Sequence, residues 1–112
     1  MSAFIKFRPS GSQDVVSYNL YHKLDEQDNP LTKDNSNPAI DLGNPAPDAE
    51  GFIVVELNVI PELASLDGMY DLGVAAVDDA GNISPMLTTG LADISLDFLA
   101  PSPPSEASVF WS

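Results

Sequence analysis

Apolar residues recur at every second position in several short runs along this chain, and each run stops at glycine, proline, asparagine or aspartate. A period of two places alternate side chains on opposite faces, so these runs predict half-buried strands rather than helices. The clearest is Leu66 to Pro85, LDGMYDLGVAAVDDAGNISP. Asp67-Gly68 predicts a tight turn there, Tyr70, Leu72, Val74 and Ala76 share one strand face, and Asp79-Ala80-Gly81-Asn82 ends the strand.

Other segments repeat the pattern. Ala3 to Arg8 reads as a strand ended by Pro9-Ser10-Gly11-Ser12. In Val15 to Leu24, the parity assigns Val16, Tyr18 and Leu20 to the core and Ser17, Asn19 and Tyr21 to the opposite side. Asp25 to Asn37, DEQDNPLTKDNSN, is too poor in apolar residues to bury anything and reads as an exposed loop. Ala39 to Leu42 suits a short edge strand, which Pro45 and Pro47 prevent from continuing. Phe52 to Ile60 is the most hydrophobic strand, with Ile53, Val55, Leu57 and Val59 inward and Pro61 as its stop. Ile94, Leu96 and Phe98 alternate with Asp93, Ser95 and Asp97 in a last strand over Ala92 to Leu99. The run Ala100-Pro101-Ser102-Pro103-Pro104-Ser105 favours a stiff, extended tail.

These elements predict an all-β domain over residues 1–100, with a Pro-rich tail or linker at 101–112. About six or seven short strands in one domain of this length is the pattern of an immunoglobulin-like β-sandwich. Tyr70, arriving with Leu66 and Gly68, is placed where a tyrosine corner would let its hydroxyl bond back to upstream backbone.

Charge narrows the partners. Seventeen acidic residues against four basic give a net charge of −13, and Lys6, Arg8, Lys23 and Lys33 all precede Asp34. Such a surface repels phosphate backbones and anionic lipid and favours cations and basic partners, so nucleic acid is not expected. No apolar run is long enough to span a bilayer, so membrane insertion is not expected either. The absence of cysteine excludes disulfides and thiolate metal sites.

Leu66 to Ser84 resembles the F strand and following turn of fibronectin type III domains and related bacterial immunoglobulin-like repeats. Phe7-Arg8-Pro9 through Tyr18-Asn19-Leu20-Tyr21 resembles their B to C strands, with Phe7 near a position where the family often has tryptophan. Ile94 to Pro101 resembles the closing strand, whereas Asp25 to Glu50 matches nothing in the family pattern. The chain has almost nothing ahead of Ala3 to form an A strand. That strand is therefore expected to be absent or exchanged: it is missing, or the tail from Ser102 to Trp111 folds back to replace it, or a neighbouring chain covers the edge, and an uncovered edge predicts a homodimer through that edge or through tail exchange. The resemblance implies a non-catalytic interaction or spacer module of a bacterial surface or phage structural protein, with a protein or glycan partner. An excised repeat would be extracellular or cell-surface; a complete chain would be cytoplasmic or virion-associated.

Candidate chemistry is sparse. His22 is the only histidine, no nucleophile elbow surrounds a serine, and the abundance of acids makes any one carboxylate pair uninformative, so no catalytic residue is expected. His22 reads as a surface or edge residue. Asp78, Asp79 and Asn82 converge on one turn, and Asp25, Glu26 and Asp28 on another; oxygen ligands so placed suit calcium. Bacterial repeats of this kind often bind calcium, so a calcium-stabilised adhesin-type module is the alternative reading. Asp79-Ala80-Gly81-Asn82 is equally a well-formed turn that needs no metal or other cofactor. Tyr21, Phe110 and Trp111 are the candidate interaction aromatics.

Overall fold

In chain order the strands are β1 (Phe4–Phe7), β2 (Val15–Leu24), β3 (Ile40–Asp41), β4 (Ile53–Glu56), β5 (Asp67–Asp78) and β6 (Ile94–Asp97). The computed structural model describes residues 3–26, 28–64, 66–88, 90–92, 94–97 and 108–111. All strand pairs are antiparallel: a two-stranded ribbon β1-β4 faces a four-stranded sheet of order β3-β2-β5-β6. No helix among the described residues is long and apolar enough to cross a membrane.

The two sheets close on one core. Ile5, Phe7 and Ile53 enter it from the ribbon, and Tyr18, Leu20, Leu72, Val74 and Leu96 from the larger sheet. The rings of Phe7 and Tyr18 meet across the gap, centroids 5.1 Å apart and tilted by 58°, within the separation at which aromatic pairs attract. The inward parity expected for Tyr70, Leu72, Val74 and Ala76 holds, with Tyr70 and Ala76 partly buried at the ends of the run.

Several local expectations are corrected. Asp67-Gly68 is not a turn but the start of β5, where Gly68 adopts φ +132°. The chain reverses earlier, through single 3₁₀ turns at Leu57–Val59 and Pro61–Leu63. Those turns break the alternation after Glu56, so Leu57 stays in the core while Val59 is exposed. In β2 the register shifts between Val15 and Ser17. A bulge adds one residue and exchanges the faces on either side of it, which exposes Val16 and lets Val15 pack against the core.

Asp25 to Asn37 is not a bare loop either. It folds over the outer face of the larger sheet, where Leu31 is buried with Tyr21 and Ala75 in a second small cluster. The Asn37 amide donates to the His22 carbonyl at 2.9 Å, and Ser36 exchanges bonds with the His22 backbone. After the 79–82 turn, Ile83 and Leu87 bridge to Val77 and Val74, so the chain returns along β5 before β6 forms. Phe98, Leu99 and the Pro-rich run to residue 107 lie outside the described residues.

Candidate functional site

The outward face of the β1-β4 ribbon is chemically unlike the rest of this acidic chain. Alternation buries Ile5 and Phe7 and sends Phe4 and Lys6 outward from β1, while Val54 points outward from β4. Lys6 Nζ lies 4.7 Å and the Arg8 guanidinium carbon 4.1 Å from the centre of the Phe52 ring. Two of the four cations of the chain are thus held against one aromatic ring.

The turn before β4 positions that ring. The Asp48 carboxylate accepts hydrogen bonds from the amides of Glu50 (2.9 Å) and Phe52 (3.0 Å), and the Asp48 amide donates to the Phe52 carbonyl at 2.8 Å. These bonds, the Phe52 amide foremost and helped by the charge of Lys6, hold the Asp48 carboxyl below its ordinary range. Arg8 Nη1 donates to the Glu50 carbonyl at 3.0 Å, pinning the guanidinium above the turn. Gly51, at φ +87°, leaves room there: a Cβ would lie 3.0 Å from Arg8 Nη1.

The edge of β1 is also open. The Leu57 amide donates to the Ala3 carbonyl at 2.8 Å, in register with the Phe4–Glu56 pairing. In an antiparallel ladder hydrogen-bonded pairs alternate with non-bonded ones, so Ile5 and Phe7 bond to β4 while the amides and carbonyls of Phe4 and Lys6 point outward. Among the described residues nothing pairs with them. The surface therefore combines unpaired backbone, exposed apolar side chains and positive charge.

The sequence-derived candidates are placed as follows. Tyr21 points to the outer side of its sheet as expected but is buried under Leu31 and beside Met86, so it is not an exposed interaction aromatic. His22 is likewise buried, not a surface residue; among the described residues its Nδ1 has no hydrogen-bond partner, and its ring lies 6.5 Å from that of Tyr70. Burial lowers the His22 pKa from 6.5, and the negative charge of Glu62 opposes part of that shift. Phe110 and Trp111 are exposed. The Tyr18 hydroxyl reaches backbone, accepting from the Ser10 amide; among the described residues no such bond forms at Tyr70.

Asp78, not Asp79, organises the 79–82 turn. Its Oδ1 accepts from the amides of Ala80 (3.0 Å) and Asn82 (2.8 Å), and its Oδ2 from the Asn82 side-chain amide at 3.0 Å. The Asn82 side chain first, then the turn amides, hold its carboxyl below the ordinary range. Asp79 is exposed, and its amide donates to the Asp14 carbonyl. In the other acidic group, Glu26 pairs with the buried Lys23 ammonium at 3.2 Å. No group of three metal-ligating side chains occurs among the described residues. Nothing in the sequence pattern signals the ribbon face, because Lys6 and Arg8 meet Phe52 only through strand pairing. Compared with family models, curated proteins and solved structures, the chain matches none of them.

Proposed function

We propose that this chain is a non-catalytic interaction module on a fibronectin type III-like sandwich, of the kind repeated in bacterial surface proteins or phage structural assemblies. The strand order supports the family reading. Immunoglobulin-like sandwiches pair B with E in one sheet and C, F and G in the other, with an added strand beside C in some. Here β1-β4 stands where B and E would, and β3-β2-β5-β6 where the added strand, C, F and G would.

The observation that carries the interaction role is the ribbon face: Phe4, Val54 and Phe52 beside Lys6 and Arg8, on a chain of net charge −13. An apolar, cationic face bounded by open backbone suits an extended neutral or acidic ligand. Binding to arrayed acidic peptides and glycans, compared between the native chain and Lys6→Glu/Arg8→Glu, tests this. Charge reversal is expected to abolish binding of the captured ligands. Binding that survives the reversal, or hydrolysis of any ligand, would overturn the reading; binding to none of them would leave a spacer.

A further inference from the structure

We infer that the open edge of β1 takes the tail segment 108–111 of a second copy of this chain as an added strand. The inference rests on the interaction-module reading and names its partner.

Edge and segment match in length and pattern. β1 is four residues long, and its outward amides and carbonyls at Phe4 and Lys6 offer four hydrogen-bonding groups. The segment Ser108-Val109-Phe110-Trp111 is also four residues, and Val109, Phe110 and Trp111 are 79%, 83% and 89% exposed. Extended, it places Val109 and Trp111 on one face and Phe110 on the other. Added to β1, Val109 and Trp111 lie on the side of Ile5 and Phe7, and Phe110 lies beside Phe4 on the outer face.

Charge selects among occupants. Pairing two β1 edges would bring Lys6 and Arg8 of both copies together, the kind of repulsion that edge lysines supply against self-pairing. The only charged side chain in the tail beyond residue 97 is Glu106, opposite in sign to Lys6 and Arg8. The same acid disfavours the outer edge of β4, where Glu56 stands. A second copy is favoured over the segment's own domain because three prolines, Pro101, Pro103 and Pro104, precede it. Proline-rich sequence is stiff, which disfavours folding straight back onto the same domain. Donation from each copy to the next is a heterologous contact, giving chains or rings rather than a single closed pair.

Trp111 is the only tryptophan, so its emission reports docking directly. The test measures mass by light scattering and tryptophan emission together, at physiological salt, up to about 1 mM because so short a strand binds weakly. Mass and a blue shift are expected to rise together with concentration, and both to vanish in Val109→Asp. Val109 is exposed, so that variant is expected to melt with the native chain at low concentration. Three results overturn the inference: solvent-exposed emission with single-copy mass throughout, blue-shifted emission with single-copy mass throughout, or assembly that survives Val109→Asp. Assembly that fails while ligand binding at Lys6 and Arg8 persists removes only the second copy as partner; failure of both removes the module reading as well.

Discussion

The Tyr18 hydroxyl accepts a hydrogen bond from the Ser10 amide at 2.9 Å while the Tyr18 ring packs on Phe7, so one residue ties the β1-β2 connection to both sheets. The connection from Arg8 to Asp14 has no strand of its own. This bond anchors the middle of its backbone to a core residue, and the Asp79 amide holds its end at the Asp14 carbonyl.

Tyr18→Phe keeps the ring and removes the acceptor. A lost hydrogen bond of this kind costs about 1 kcal/mol. Urea unfolding is expected to show that loss for Tyr18→Phe and almost none for Tyr70→Phe. The reverse order would return the tether to Tyr70.

Gly73 lies in β5 opposite Tyr21, and Met86 lies over it. A Cβ at position 73 would sit 2.6 Å from Met86 Cγ, so the methionine must leave its place beside Tyr21. Gly73→Ala is expected to destabilise by about 1–3 kcal/mol, as overpacking does. Met86→Ala in the same chain should recover part of that loss, a coupling that a double-mutant cycle measures.

His22 sets a pH limit. Burial depresses its folded-state pKa below the 6.5 of the unfolded chain. The unfolded state therefore binds the proton first as pH falls. Stability from the neutral imidazole is fully present above pH 6.5 and is lost as pH falls from there through the folded pKa. Denaturant midpoints are expected to fall below that value for the native chain and to fall less for His22→Leu. Equal slopes would show that the imidazole is not the group responsible.

The turn at Asp78 already satisfies both carboxylate oxygens with three donors. Melting temperature is therefore expected to be the same in millimolar calcium and in chelator. Asp78→Ala should lower it equally in both, because the loss is of turn bonds. A rise of several degrees with calcium in the native chain would restore the calcium-stabilised reading by mass action.

Period-two patterning determined which segments became strands. The β2 span Val15–Leu24 and the inward face of Tyr70, Leu72, Val74 and Ala76 follow from alternation, because a strand exposes its two faces regardless of what covers them. Alternation cannot report a break in its own period. The bulge at Val16 and the 3₁₀ turn that exposes Val59 depend on strand register and chain reversal, which are set by long-range pairing. Nor does it say whether an outward face meets water. Tyr21 is outward by parity and buried by a polar loop whose single Leu31 reaches it, and His22 is enclosed near Tyr70. The ribbon face is decided at the same level. Lys6 and Arg8 are each more than forty positions from Phe52 in sequence, and only the β1-β4 register of Phe7 opposite Ile53 places two cations over one ring.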